Sequence, residues 1–353
     1  MNTQNEDPTP HSEPSPPSVE QSPATHPSTL RNIFIGADGL RAGWSLLIFI
    51  AIFVALLYSA TGINHFINHR LHTPPHNHSA EVTMSLKFTL ISESVPLLAA
   101  LLATWIMSKI ERRPASVYGL GGVRKLPHFF AGLAWGVTCL SLLVLTLWKT
   151  GLLVIDSRLI FGGAVLRYGI LWLLGFLLVG LLEEYFTRGY LQYTLARGLT
   201  GIYKCAFKTR HSAALGFWTA ALIFSILFGL GHGKNPGESP IGLLSAGSVA
   251  MVFCLSLWRT GSLWWAIGFH ASWDWAQSFL YGVADSGTMV QHHLLATHPV
   301  GKPILSGGAT GPEGSLFILA ILSLVVLIIF FTLPRTKHDG TQHVAPQPHP
   351  LEA

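Results

Sequence analysis

Charge is the scarcest property of this chain. Only 11% of its 353 residues are charged, while 50% are hydrophobic and the mean hydropathy is +0.45. A soluble domain carries about a quarter charged residues, so an ordinary water-soluble globular protein is excluded. The net charge of +5 does not argue for nucleic acid, because the basic residues sit at the ends of apolar runs and read as topology signals. Cysteine is almost as scarce. Cys139, Cys205 and Cys254 show no paired spacing and no CxxC, which argues against a disulfide framework and a thiolate zinc site; Cys139 and Cys254 read as plain core residues. No P-loop, dinucleotide fingerprint or solenoid repeat is found. Residues 1–32 lack the basic start and apolar core of a cleavable signal peptide. They are rich in Pro, Ser and Thr and read as a disordered cytoplasmic tail, leaving the first apolar span to act as an uncleaved signal anchor. Residues 334–353 read as a second disordered tail.

What the chain has in quantity is long apolar runs. A transmembrane helix needs about 20 mostly apolar residues. Such runs fall near 42–61, 86–107, 128–148, 168–190, 213–232, 241–258, 262–283 and 314–333. The expected fold is therefore all-α: a polytopic membrane helix bundle over residues 33–333 with about eight transmembrane helices. With the amino terminus in the cytoplasm, 15 of the 22 Lys and Arg fall on that side. This bias predicts that both termini are cytoplasmic.

Three polar clusters interrupt the apolar runs: Glu183, Glu184 and Arg188; Phe228 and His232; His270 and Asp274. A charge near the bilayer centre costs roughly 2.5–3.5 kcal/mol on insertion scales, and such residues face a bundle interior or a wet cavity. Residues four apart share a helix face, so Glu184, Arg188 and Gln192 form one polar stripe with an acid-before-base ion pair. Glu183 is rotated about 100° away and lacks that partner, which suits a general base. His270 and Asp274 share a face by the same spacing. His232 closes its apolar run just before GKNPGESP, which reads as a turn, and Gly229 and Gly231 beside it allow close packing. Each cluster alone has a plain structural reading as an ion pair, an interfacial histidine or a packing pair. Their conjunction points to a hydrolytic site built from several helices.

The order EExxxR, FxxxH and HxxxD, carried here by EEYFTRGYLQ, FGLGH and RTGSLWWAIGFHASWDW, resembles the CPBP family: the CAAX prenyl protease and bacteriocin-processing intramembrane proteases, also called the ABI family. The TGSLW segment is similar to bacterial members. The resemblance covers about 120–285. It implies an intramembrane endopeptidase acting on membrane-associated peptides or proteins, with Glu183 activating water and Glu184 and Arg188 supporting it. His232 and His270 would then position the water or a metal and stabilise the tetrahedral intermediate. The family's last position is Asn in prenyl proteases, proposed as an oxyanion donor; here it is Asp274, which cannot donate when ionised. Asp274 would instead ligate a metal, orient His270 or donate when protonated. Zinc is carried as a candidate cofactor, with Glu183, His232, His270 and Asp274 as its ligands. The alternative function is a non-catalytic membrane binding or bacteriocin-immunity protein using the same polar cavity.

The expected setting is the lipid bilayer of a cell membrane, with the bacterial inner membrane favoured, and no nucleic-acid partner. Histidines at 65, 69, 72, 76 and 78 and at 292, 293 and 298 read as incidental to solvated loops. Pro96 is expected to kink the second span, and Glu93 to be satisfied structurally or to face the shared cavity. One geometric conflict is visible in advance. A span starting at 168 puts Glu183 about 22 Å along it, whereas His232 ends the next, antiparallel span. The two meet only if the fourth helix is long and its embedded part starts later, near Gly175, or if the span of His232 reaches deeper.

Overall fold

The computed structural model describes residues 33–36, 39–70 and 83–333. The expected tails, 1–32 and 334–353, lie outside the described residues, as do His72, His76 and His78.

The described chain is a bundle of apolar helices: α1 (Ala42–Arg70), α2 (Leu86–Ile110), α3 (Lys125–Lys149), α4 (Gly163–Glu184), α5 (Tyr193–Phe207), α6 (Ser212–Gly231), α7 (Pro240–Thr260), α8 (Trp264–Asp274) and α9 (Ile318–Thr332). Among the described residues, six helices are long and apolar enough to cross a membrane. This is a multi-pass membrane protein. The last two of the eight expected spans are shorter: α8 with the π-helical turn that follows it, Trp275–Leu280, and α9, which has 15 residues.

Familiar end signals set the helix boundaries. Ser85 caps α2 by accepting from the Phe88 amide, Ser239 caps α7 through Gly242, and Pro240 occupies its first turn. Gly261 ends α7 in the left-handed region at φ 68. Pro96 is carried inside α2 without ending it.

The fourth apolar run is the largest departure from expectation. It is one 45-residue helical stretch, Gly163–Phe207, in which α4 passes through a π-helical segment, Tyr185–Gln192, into α5. The expected conflict over depth disappears for this reason. Counted back from the turn at 208–211, Glu183 is about 36 Å up one arm and His232 about 30 Å up the antiparallel α6.

Helix α8 is seated against α3 by small residues. A methyl group added at Gly132 would come within 2.2 Å of the Trp265 carbonyl oxygen, and one at Gly268 within 2.2 Å of the Phe129 carbonyl oxygen. Gly136 approaches Phe269 and Ser272 in the same way. Small residues four apart are how membrane helices bring backbones together. The TGSLW segment also anchors α8. The Leu263 amide donates to Gly119 O, the Ser262 hydroxyl to Gly121 O and the Trp264 indole to Leu120 O, so the α7–α8 turn is bound to the α2–α3 connection. Outside the helices, strand β1 (Leu153–Arg158) pairs antiparallel with β2 (Leu295–Pro299), and Thr83–Met84 pairs in parallel with Met289–Val290.

Candidate functional site

The three polar clusters converge. Glu183, His232, His270 and Asp274 all line one cavity of about 320 Å³, together with Phe228, Glu93, Asn235, Asp285, Ser286 and Glu313. A second, more open groove on its flank runs past Phe53, Pro96 and Leu227 and shares Glu183, Phe228, His232 and Asn235 with the first.

Arg188 and Glu184 form the foundation. The Arg188 Nη1 donates to Glu184 Oε1 at 2.6 Å, and the two side chains are 1% and 0% exposed. The guanidinium also lies over the rings of Phe228, 5.0 Å from its centre, and Phe253, 5.5 Å away. The Phe of FxxxH thus serves as a platform for the arginine of EExxxR. Glu184 has a second partner: its Oε1 accepts from His270 Nδ1 at 3.0 Å. The buried pair therefore supports His270 directly. Gln192, the third member of the stripe, accepts from the Cys254 thiol at 3.2 Å, so Cys254 is a core residue that also closes this network.

With Nδ1 given to Glu184, His270 presents Nε2 to the cavity, 3.8 Å from Glu183 and 3.5 Å from Asp274. Fixing a histidine through its far nitrogen sets both tautomer and ring orientation. Gly180 permits this approach, because a methyl group there would come within 3.3 Å of the Ile267 carbonyl oxygen and the Ala271 amide nitrogen on α8. Glu183 is the exposed member of the acidic pair at 33%. It turns into the cavity while Glu184 is sealed away. Both polar motifs run straight into π-helical turns, at Tyr185 and at Trp275, a distortion that recurs at functional sites.

His232 sits at the end of α6, where the helix tightens into a 3₁₀ turn, His232–Lys234. Its Nδ1 donates to the Phe228 carbonyl at 2.8 Å, leaving Nε2 directed elsewhere. Gly229 makes the expected close approach, 2.6 Å from Leu243 O for an added methyl group, whereas Gly231 has open space and no packing role.

Several cavity residues were not singled out in the sequence. Asn235 lies in a segment read only as a turn. Asp285, Ser286 and Glu313 come from the loops between α8 and α9, where polar residues carry no signal. The Ser286 hydroxyl donates to Glu313 at 2.8 Å and the Ser278 hydroxyl to Asp285 at 3.2 Å. Burial raises the carboxyls of Asp285 and Glu313 above the usual range, and the nearby Asp274 pushes Asp285 further in the same direction. Glu93 faces the shared cavity, bonded to Ser92 at 3.1 Å. The described histidines of the second loop have local partners: His292 stacks on Tyr168, His293 bonds the Leu295 carbonyl and His298 bonds Asp156.

Among the described residues no group of three or more His, Cys, Asp or Glu is arranged to hold a metal ion.

Residues 165–276 match a family model described as type II CAAX prenyl endopeptidase Rce1-like. This segment is Rce1-like. It carries all seven residues of the three motifs, while Glu93, Asp285 and Glu313 fall outside it. The Rce1-like match supports CAAX-type endopeptidase activity in a membrane setting, with peptides or membrane proteins as substrates. No curated protein and no solved structure matches the chain.

Proposed function

We propose that this protein is a glutamate-dependent intramembrane endopeptidase whose base is Glu183. The observation that carries the reading is the division of labour between adjacent acids: Glu184 is buried and committed to Arg188 and His270, while Glu183 is left exposed to the cavity beside the ring that Glu184 holds. Buried ion pairs add little net stability against apolar residues of similar volume, so a pair that also orients a cavity histidine is better explained by function.

Glu183 takes a proton from water, and the resulting hydroxide attacks the scissile carbonyl carbon. The carbonyl electron pair moves onto oxygen. When the tetrahedral intermediate collapses, the C–N bond breaks and the proton held by Glu183 passes to the leaving nitrogen. His270 Nε2 accepts from the water held against Glu183, and Asp274 lies 3.5 Å from that nitrogen. His232 Nε2 faces the substrate as an acceptor. No step requires a metal, and none is routed through one. The zinc alternative, with Glu183, His232, His270 and Asp274 as ligands, predicts chelator-sensitive activity restored by zinc.

The substrates favoured by the Rce1-like segment are membrane-anchored peptides, with prenylated Cys-a-a-X ends as the first class to try. In this reading the enzyme lies in a cell membrane, bacterial inner membrane included, with both termini cytoplasmic. The test is cleavage of quenched-fluorescent peptides, prenylated and not, by detergent-purified protein with and without chelator. Glu183→Gln and His270→Ala should each lower kcat by about 10²–10⁴. Wild-type rates in both variants would refute the assignment.

A further inference from the structure

A glutamate base generates an oxyanion that something must bind, and the position where the family's Asn stands holds Asp274, an acceptor when ionised. The cavity histidines do not fill the gap in their neutral forms. The ring N–H of His232 is spent on the Phe228 carbonyl and that of His270 on Glu184, which leaves each Nε2 without a proton to donate. Arg188 is buried behind Glu184 and does not line the cavity.

Four residues line both the cavity and the groove on its flank: Glu183, Phe228, His232 and Asn235. At this junction Asn235 is the one side-chain amide. Its amide group makes no hydrogen bond to the described residues, although its backbone is held firmly. The Asn235 N–H donates to His232 O at 2.9 Å, closing the 3₁₀ turn. The following Pro236 restricts it to extended backbone, and it has φ −71 and ψ 140. An unspent donor on a constrained backbone beside the base is what oxyanion stabilisation requires, because its dipole costs no reorganisation during reaction.

We infer that Asn235 is a further catalytic residue, the oxyanion donor of this site: its Nδ2–H binds the carbonyl oxygen as the electron pair moves onto it and releases it when the C–N bond breaks. The role normally assigned to the third motif has moved to the turn after the second. The inference rests on the hydrolytic reading above.

The experiment compares wild type, Asn235→Ala, the isosteric Asn235→Asp and Glu183→Gln on one quenched-fluorescent peptide. Each is also titrated with a phosphonate analogue of that peptide, which mimics the tetrahedral intermediate, and with its uncleavable N-methyl amide, which mimics the substrate. Loss of an oxyanion donor should lower kcat by about 10²–10³-fold with KM nearly unchanged. Both Asn235 variants should weaken phosphonate binding by a similar factor while binding the amide as wild type does. A kcat within about threefold of wild type in both Asn235 variants, or equal weakening of phosphonate and amide, overturns the inference. If Glu183→Gln is inactive while the Asn235 variants retain full rate, only the oxyanion assignment fails. If Glu183→Gln is fully active, the hydrolytic reading fails with it.

Discussion

The two histidines of the cavity are held in opposite ways. His270 stands in the middle of a helix clamped to its neighbours by glycine contacts, and its ring is fixed by a sealed Glu184–Arg188 pair. His232 stands at a helix end, where one bond to a carbonyl of its own turn holds it, and the wall it shares with loop residues Ser286 and Glu313 is polar and built outside the helices. One side of the site is therefore part of the bundle's packing, and the other can change without unfolding it. Tethering chemistry to the core gives precision, while the looser side is where a substrate can be admitted and a donor such as Asn235 placed.

The largest break of this contrast should come from Arg188→Ala. It strands Glu184 without its counter-charge inside the bundle and frees His270, and removing one partner of a buried pair costs about 3–5 kcal/mol. Thermal denaturation in detergent should show the loss together with inactivity. His232→Ala should separate the two sides: turnover falls by about 10²-fold or more, while the melting temperature stays close to wild type because no buried ion pair is broken. A fall as large as that of Arg188→Ala would mean His232 is structural after all.

The smallest effect belongs to the loop acids. The folded-state pKa of Asp285 is raised by burial and by its acidic neighbours, so between the ordinary aspartate value and its own higher value the unfolded chain has released a proton that the folded chain keeps. Stability then falls as pH rises through that window. Asp285→Asn removes this cost, so its melting temperature should exceed wild type at neutral and higher pH, with the difference vanishing in acid. The absence of any pH dependence in the difference would show that Asp285 ionises freely in the fold.

Much of the site was readable in the chain. Costly polar residues at four-residue spacing inside apolar runs announce buried pairs, and Glu184 with Arg188 behaves as that rule requires. The separation of Glu183 from its neighbour followed from helix geometry. The partner of Glu184 did not: nothing in the spacing says that it reaches across 86 positions to His270. The fourth span was drawn to a membrane's thickness, and the structure instead runs it through a π segment for 45 residues, because propensity and apolar length do not register where a helix stops when its polar stretch is buried by neighbours. Asn235 and the loop acids were invisible for a simpler reason, since polar residues are expected in turns whether or not they line a cavity.

The sequence by itself determined the class of the molecule and the inventory of its chemistry. An apolar, charge-poor chain has to bury its backbone in helices across a bilayer, and the few ionisable groups it keeps there must be paired. Only the tertiary structure decided which of those groups share a cavity. Whether Glu183 or Glu184 meets the open space depends on the facing of α4 against α8, where Gly180 meets an α8 backbone that Gly132, Gly136 and Gly268 seat on α3, and such contacts between residues far apart in the chain leave no local periodicity to read.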